Sequence, residues 1–422
     1  MEHSNIQYRT VPKNGDKLSA LGFGLMRLPL KSGKIDEERA ISQIRYAVDN
    51  GVNYLDTAPP YHGGESEKLL GKALQGGYRE KVKVATKLSP FMINTAEDMD
   101  KMLAMQLSKL QTDHIDYYLL HALEAESWKK LQNINVLKFL EKAKSEGKIV
   151  NVGFSFHGSL STFKEIIAAN DWVMCQIQYN LLDENLQAGT EGLKFAASQN
   201  LAVMVMEPLR GGALAGKLPK EVKHIYDKAH TKRSAAEWAL RWVWNHPEVT
   251  VVLSGMNEEK QVEENLKTAE TALPNSLSQT EIKILNDVTA AYKCLMKVPC
   301  TGCGYCMPCP NGVNIPANFS AYNHYNMFNQ KIYARGMYAM SVLGVLDGKK
   351  ADASLCLNCG LCVKKCPQHI AIPQELKAVS NQMGGLQTKL LMPFIKREVK
   401  RRFKAKIEEP SSENGKSRTP RN

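Results

Sequence analysis

Eight short apolar runs, rich in β-branched and aromatic residues, alternate with longer amphipathic stretches over roughly the first 290 residues. The runs are residues 20–24, 53–57, 82–87, 116–121, 150–155, 175–179, 201–206 and 250–254. Short runs of this composition are typical of strands, and the stretches between them repeat apolar residues at helical spacing. Eight alternating strand–helix units predict an α/β fold of the (β/α)8 TIM-barrel type. An open, doubly wound sheet is the alternative, but no G-x-G-x-x-G fingerprint follows the first run.

Many of these runs carry a polar residue at, or just beyond, the carboxyl end. These residues are Asp56, Lys87, His121, Ser155, Glu207 and Ser254. In a barrel the carboxyl ends of all the strands meet at one rim, where active sites are built. A single polar residue at a strand end is commonly a turn or a cap residue. A set of them at the same end favours a functional site.

The cysteines are concentrated near the C-terminus. Eight of the ten fall between Cys300 and Cys366, and none occurs in the first 174 residues. Tight tandem spacing indicates metal binding rather than a disulfide framework. The second group fits C-x2-C-x2-C-x3-C-P, the bacterial ferredoxin run, in which three thiolates hold one cluster and the fourth holds the other.

This exchange of the fourth ligand predicts two [4Fe–4S] clusters. One would be held by Cys300, Cys303, Cys306 and Cys366, and the other by Cys356, Cys359, Cys362 and Cys309. The first group departs from the pattern, because two residues, not three, separate Cys306 from Cys309. Zinc is the alternative, since C-x2-C pairs also build zinc ribbons. Two quartets that each end in Cys-Pro favour the clusters.

The chain divides into three predicted parts. Residues 1–295 would form the barrel, residues 296–390 a small, mostly helical ferredoxin-like domain with two clusters, and residues 391–422 a basic, disordered tail. Forty-six residues separate Cys309 from Cys356, too many for a compact ferredoxin built of strands. This intervening stretch carries an aromatic packing face, and the pattern resembles the helical ferredoxin domains of multi-subunit oxidoreductases.

The formal net charge of +12 does not indicate a nucleic-acid partner. From Leu391 onward there are ten basic and four acidic residues, so 10 − 4 gives +6, half of the excess, in the tail. No basic stretch followed by an apolar segment opens the chain, and no apolar run approaches the ~20 residues that cross a bilayer. We therefore expect a cytoplasmic protein with no transmembrane segment.

Short motifs also occur in order along the barrel region. They are LGFGLMR at 21–27, GVNYLDTA at 51–58, Tyr61 followed by GESE at 64–67, DYYLLH at 116–121 and GKI at 147–149. Together they resemble the aldo/keto reductase family from about Leu18 to Leu266. The resemblance implies a catalytic tetrad, which maps onto Asp56, Tyr61, Lys87 and His121.

The physical chemistry of carbonyl reduction supports this tetrad. Hydride addition develops negative charge on the carbonyl oxygen, which needs a positioned proton donor. A free tyrosine has a pKa near ~10 and donates poorly at neutral pH unless its phenolate is stabilised. Lys87 beside Tyr61 would stabilise the phenolate, and Asp56 would hold Lys87. A neutral His121 would orient the carbonyl. The alternative interpretation is that Tyr61 is a surface loop residue and that Asp56 and Lys87 form an ordinary ion pair. The neighbouring motifs favour the tetrad over this alternative.

The same resemblance implies a cofactor, NADPH or NADH, and its contacts. The expected residues are Ser155 and Gln176 at the nicotinamide carboxamide, Pro208 and Leu209 along the pyrophosphate, and Ser254, Gly255, Met256, Gln261 and Asn265 around the adenosine. Two positions depart from the family. Phe156 follows Ser155 where asparagine is common, and Met206 stands where an aromatic ring commonly stacks on the nicotinamide. Gly255 and Gln261 occupy positions that bind the 2′-phosphate in members preferring NADPH, so the choice between the cofactors stays open.

Two functions are compatible with these features. In the first, the chain is an NAD(P)H-dependent oxidoreductase that interconverts a small carbonyl compound and an alcohol, and its clusters are structural or exchange electrons with a redox partner. In the alternative, it is an iron–sulfur electron-transfer or partner-binding protein whose barrel binds nicotinamide without efficient turnover. A hydride carries two electrons, whereas a cluster transfers one at a time. Electron transfer between the nicotinamide and a cluster usually needs a flavin, and we find no flavin motif in the sequence. The complete tetrad favours the enzyme.

Overall fold

A computed structural model describes residues 6–395, apart from 301, 303, 329, 346–347, 386–387, 389 and 391. Eight parallel strands close into a barrel in chain order. They are β1 (Leu21–Gly24), β2 (Tyr54–Asp56), β3 (Lys83–Leu88), β4 (Ile115–Leu123), β5 (Ile149–Phe156), β6 (Met174–Gln178), β7 (Ala202–Met206) and β8 (Val249–Ser254). Each strand contains most of one apolar run, and β8 pairs with β1 to close the sheet. The predicted (β/α)8 barrel is therefore confirmed.

Helices surround the barrel, and most of them bury their apolar faces against the outer faces of the strands. They are α1 (Glu37–Asp49), α2 (Ser66–Ala73), α3 (Ala96–Leu110), α4 (Ala125–Asn133), α5 (Val136–Ser145), α6 (Leu160–Ala168), α7 (Gly189–Ser198), α8 (Lys220–Lys228), α9 (Ala235–Trp244), α10 (Glu259–Thr271) and α11 (Gln279–Leu295). Capping boxes fix the starts of α3 and α11, where the Thr95 and Ser278 side chains accept from backbone N–H groups of the first turn.

The barrel interior is filled with side chains. Tyr54, Tyr117 and Met204 are fully buried there. Val11 and Leu18, from an N-terminal hairpin that pairs Tyr8–Thr10 with Lys17–Ser19, pack into the same cluster at the amino ends of the strands. The sequence analysis did not predict this hairpin. It closes the amino end of the barrel, so the carboxyl rim is the end available for a site.

A second, mostly helical domain follows the barrel, as predicted. Its helices are α12 (Ile315–Met327), α13 (Lys331–Val342) and α14 (Ile372–Met383). Phe319, Tyr338 and Val379 are fully buried in its own core. Cysteine side chains of both motif groups pack partly buried against this core. The helices thus form the scaffold that carries the cysteine loops.

The helical domain packs against loops at the carboxyl rim of the barrel. Met327 and Phe328 at the end of α12 share a buried apolar cluster with Ala213 and Leu214, which lie in the loop after β7. Tyr292 of α11 belongs to the same cluster and packs against Phe328 in a tilted orientation, with ring centroids 5.3 Å apart. The domain therefore supports the loop that the sequence analysis assigns to the cofactor pyrophosphate.

The predicted boundary after residue 295 falls at the end of α11. Apart from residues 392–395, the tail predicted for residues 391–422 lies outside the described part of the chain. Among the helices that the structure describes, none is both long and apolar enough to cross a membrane.

Candidate active site and cluster ligands

The Lys87 ammonium is the centre of the site at the carboxyl rim. Its Nζ donates to Asp56 Oδ1 and Oδ2 at 2.7 and 2.9 Å and to the Thr57 carbonyl at 2.8 Å. Lys87 is fully buried, and Asp56 lies on the neighbouring strand β2. Burial acts to lower the pKa of Lys87, but Asp56 and Tyr61 outweigh it and raise that pKa above its ordinary value. The side chain is therefore a buried, fully charged cation.

Tyr61 lies beside Lys87, on the single turn of 3-10 helix (Tyr61–Gly64) that follows β2. The Lys87 ammonium lies 5.1 Å from the centre of the Tyr61 ring. Burial raises the pKa of Tyr61, Lys87 opposes that shift, and the carboxylates of Asp56 and Glu207 reinforce it. The net direction differs from the lowered pKa expected from the sequence, because burial outweighs the ammonium. The phenol therefore keeps its proton at pH 7.

His121, on β4, completes the group. Its ring packs edge-on against Tyr61 with centroids 6.2 Å apart, and its Nδ1 lies 2.7 Å from the Ser89 hydroxyl. Burial, followed by the charge of Lys87 and by His157, holds the pKa of His121 well below 6.5, so the ring is neutral at pH 7. Ser89 was not predicted from the sequence. It follows β3 directly and is fully buried, which fixes the imidazole orientation.

The residues assigned to the nicotinamide lie on β5 and β6. The buried Ser155 hydroxyl accepts a hydrogen bond from the Ala122 backbone N–H at 2.7 Å. Gln176 is 2% exposed, and its Nε2 contacts the Met206 sulfur at 3.6 Å. Within the part of the chain that the structure describes, its Oε1 is buried and has no hydrogen-bond partner. A buried amide oxygen without a donor is costly unless a ligand supplies one, and the carboxamide of a nicotinamide is a suitable donor.

The residues assigned to the remainder of the cofactor lie on the neighbouring loops. Asn265 Nδ2 donates to the Ser254 hydroxyl at 3.0 Å, and the Gln261 amide oxygen accepts from the Asn257 backbone N–H at 3.0 Å. Gly255 is exposed and Met256 is buried immediately after β8. Pro208 and Leu209 lie in the loop after β7. The structure thus places these residues at the end of β8, on the loops after β7 and β8, and on α10.

Two further charged residues lie at this rim and were not predicted as site residues. Arg27 Nη2 and Glu207 Oε1 approach to 4.0 Å, and both side chains are about one third exposed. Arg27 also packs so closely on Gly255 that a Cβ added there would lie 3.0 Å from the Arg27 Cβ. Glu207 has φ +56°, a left-handed conformation that is uncommon outside glycine. The polar strand end at Glu207 and the motif containing Arg27 were the available signals.

Seven of the eight motif cysteines lie in the part of the helical domain that the structure describes. Cys300, Cys306 and Cys366 line one small cavity, together with apolar side chains such as Ile315 and Phe319. Cys303, assigned to the same cluster, lies outside the described residues. No three His, Cys, Asp or Glu side chains of the described part are arranged around a single metal ion. The cavity brings together cysteines from both sequence groups, as the exchange of the fourth ligand requires.

The second set of cysteines is grouped around Cys362. Burial raises the pKa of the Cys362 thiol, and the nearby thiols of Cys356, Cys309 and Cys359 act in the same direction. Cys309 therefore lies with the three cysteines of the other sequence group. Of these four, Cys359 is exposed to solvent and the others are partly buried.

Comparison with known proteins identifies the family of each domain. Residues 20–288 match the aldo/keto reductase family, and residues 299–371 match a 4Fe-4S dicluster domain. L-galactose dehydrogenase of Arabidopsis thaliana is 28% identical over 288 residues, which cover 62% of this chain and 88% of the relative. The NADH-specific methylglyoxal reductase of Escherichia coli is 24% identical, with 65% and 96% covered.

Solved structures agree with this assignment. The holo form of an aldo-keto reductase from Bacillus halodurans shares 27% identity, covers 67% of this chain and 96% of its own length, and superposes with a TM-score of 0.57. The matched part corresponds in size to the barrel, which leaves the cluster domain as an addition to it. The chain belongs to the aldo/keto reductase family and is an oxidoreductase that carries a 4Fe-4S dicluster domain after its barrel.

Proposed function

We propose that the protein interconverts a carbonyl compound, an aldehyde or a ketone, and an alcohol by hydride transfer with NADPH or NADH. The observation that carries this proposal is the position of the buried Lys87 ammonium, which donates to the Asp56 carboxylate and lies 5.1 Å from the centre of the Tyr61 ring. A protonated phenol next to a fixed cation at the barrel rim supports the proposed proton transfer. A neutral imidazole, His121, lies beside the phenol.

The reduced nicotinamide, when bound, supplies the hydride to the carbonyl carbon. Tyr61 donates its proton to the carbonyl oxygen as negative charge develops there. Lys87 stabilises the phenolate that forms, and Asp56 keeps the ammonium in place and balances its charge. His121 donates a hydrogen bond from its outer nitrogen to the same oxygen and orients the carbonyl, since Ser89 occupies its Nδ1. In alcohol oxidation the same groups act in reverse, and Tyr61 receives the proton.

The cofactor contacts are proposed from the placement of the residues. Ser155 and the unpartnered Gln176 amide oxygen would hold the carboxamide, and Met206 would pack against the nicotinamide ring. Pro208 and Leu209 would lie along the pyrophosphate, and the loop after β8 with Gln261 and Asn265 around the adenosine. Lys260 is exposed and next to this group, so either nucleotide is compatible with the site.

For the helical domain we propose two [4Fe–4S] clusters with exchanged fourth ligands. Cys300, Cys303, Cys306 and Cys366 would hold one cluster, and Cys356, Cys359, Cys362 and Cys309 the other. The cavity shared by Cys300, Cys306 and Cys366 supports the first set. The packing of Cys309, Cys356 and Cys362 against the same core of the helical domain supports the second. The clusters would be structural or would exchange electrons, and since the sequence shows no flavin motif to link them to the nicotinamide, such exchange would need a separate redox partner. We propose the exchange.

The test uses the protein purified without oxygen, with iron and sulfide measured first. NADPH and NADH oxidation is then followed with a set of aldehydes and ketones in the wild type, in Tyr61→Phe and in Tyr46→Phe. Tyr46 lies on the outer helix α1 and is 47% exposed, so its variant is the matched control. We expect activity to be lost only in Tyr61→Phe. Equal activity in all three proteins would exclude Tyr61 as the proton donor and would favour the electron-transfer alternative.

A further inference from the structure

The loop between the cysteines of the second cluster exposes apolar side chains. Leu357 is 74% and Leu361 is 55% exposed, and the Cys359 between them is exposed as well. Asn358 and Gly360 both have positive φ, +57° and +73°, so the backbone turns on each side of Cys359. Single exposed leucines are common, but these two lie in one short loop on either side of an exposed cysteine, and apolar side chains exposed close together are typical of partner-binding surfaces.

Positive charge borders these leucines. Lys364 and Lys365 follow the loop and are exposed. Between Ala353 and Gln374 these lysines are the only charged residues of the chain, since no Asp or Glu occurs there. We call Leu357, Cys359, Leu361, Lys364 and Lys365 the cluster-edge patch. An apolar centre with a positive rim complements an acidic partner and speeds its association. If a second copy of the chain bound through the same patch, its lysines would face these lysines and repel them. The lysines of the patch would also repel the basic C-terminal tail.

The two cysteine groups differ in what they face. A Cβ added at Gly302, between Cys300 and Cys303, would lie 3.2 Å from Leu186 Cδ1 in the loop after β6. The loop of the first group therefore rests on the rim of the barrel. The loop of the second group faces solvent through the cluster-edge patch. The exposed Cys359 and the two leucines beside it thus form a surface that an external protein can approach.

We infer that the cluster-edge patch is the docking surface for an acidic, one-electron carrier protein. The reduced carrier gives one electron to the cluster held by Cys356, Cys359, Cys362 and Cys309. The carrier is oxidised by one electron, the cluster is reduced by one, and no bond or proton changes. This inference rests on the proposed electron exchange of the clusters and does not depend on the carbonyl chemistry of the barrel.

The test uses the full chain with its clusters and, as the probe, an acidic plant-type [2Fe–2S] ferredoxin. Binding is measured by titration calorimetry at low and high ionic strength, and cluster reduction is followed by stopped-flow mixing with reduced ferredoxin. The variants are Lys364→Glu/Lys365→Glu and Leu357→Ser/Leu361→Ser. The control is Lys129→Glu/Lys138→Glu, which makes the same charge change at exposed positions of α4 and α5. Iron and sulfide content verifies that each variant retains its clusters.

We expect the lysine variant to slow association about tenfold at low ionic strength, as loss of electrostatic steering predicts, and high salt to remove that difference. The leucine variant should weaken binding at both ionic strengths, and the control should behave as the wild type. Binding that is equal in all four proteins would overturn the docking surface. Self-association of the chain that disappears in the leucine variant would also overturn it, because a second copy would then cover the patch.

These outcomes are separable from a failure of the proposed function. Loss of carbonyl reduction in Tyr61→Phe, combined with unchanged ferredoxin binding in the patch variants, would refute only the docking surface. Patch-dependent binding in a protein that oxidises neither nicotinamide with any carbonyl would refute only the reductase chemistry.

Discussion

Replacing Lys87 with methionine should destabilise the barrel strongly, in a way that depends on pH. Lys87 is fully buried and makes three hydrogen bonds, two of them to Asp56, which is 2% exposed. The substitution keeps most of the side-chain volume but leaves a buried carboxylate without its cation. Removing one partner of a buried ion pair costs about 3–5 kcal/mol of unfolding free energy. Replacing both partners, in Asp56→Leu/Lys87→Met, should restore most of that loss.

The pH dependence follows from the proton that the unpaired carboxylate takes up. In Lys87→Met the folded-state pKa of Asp56 rises above its unfolded value, so the folded state binds the extra proton. The stability deficit is therefore full at pH values above this raised pKa. It shrinks as the pH falls through it.

Urea unfolding of the barrel, followed by tryptophan fluorescence between pH 5 and pH 8, measures both effects. Lys83→Met is the matched control on the same strand. Lys83 is 38% exposed, and its nearest carboxylate oxygens, on Asp116 and Asp16, lie 3.5 and 3.6 Å away, so its loss should cost less than about 1 kcal/mol. A single Lys87→Met variant that is as stable as the double variant, or whose deficit is the same at every pH, would refute the reasoning.

Four further predictions concern the chemistry. Ser89→Ala should lower kcat about tenfold with little change in the carbonyl KM, because the imidazole of His121 loses its orientation. A tenfold rise in the carbonyl KM with unchanged kcat would contradict this. Because the pKa of His121 lies well below 6.5 and that of Tyr61 above 10, the kcat of carbonyl reduction should stay level from pH 6 to pH 9, and a step near pH 6.5 would show that His121 titrates there. Gln176→Ala should raise the nicotinamide KM about tenfold through one lost hydrogen bond, as measured in initial-rate assays; an unchanged KM would remove Gln176 from the cofactor site. Cys366→Ala should halve the iron content without changing carbonyl reduction, and retention of all the iron would contradict its assignment as a ligand.

The barrel and most of the charged site could be predicted from the sequence. Buried parallel strands require nearly continuous apolar runs, so their number and order are visible without a structure. Asp56 and Lys87 each stand at the end of such a run, and the shared rim of a barrel brings strand ends together. The cysteines were predictable for a different reason, because ligand spacing on a cluster is local in sequence.

The remaining features depend on contacts that no local pattern encodes. The Ser89 hydroxyl reaches His121 only because β3 and β4 pair in one particular register. The pKa of Tyr61 is raised because the fold buries the side chain deeply. This effect of burial outweighs the lowering of the pKa by the Lys87 ammonium, which the sequence did suggest. The approach of Arg27 to Glu207 joins loops that are 180 residues apart in the chain.

The most direct test of the account is the transfer of deuterium from labelled nicotinamide to product in a single turnover. The protein is mixed with NADPH or NADH deuterated at C4 and with an aldehyde that the screen identifies, and the alcohol is examined by mass spectrometry. We predict one deuterium on the former carbonyl carbon in the wild type and no labelled alcohol in Tyr61→Phe. Alcohol formed without deuterium, with electrons arriving only from a reduced carrier, would contradict hydride transfer in the barrel.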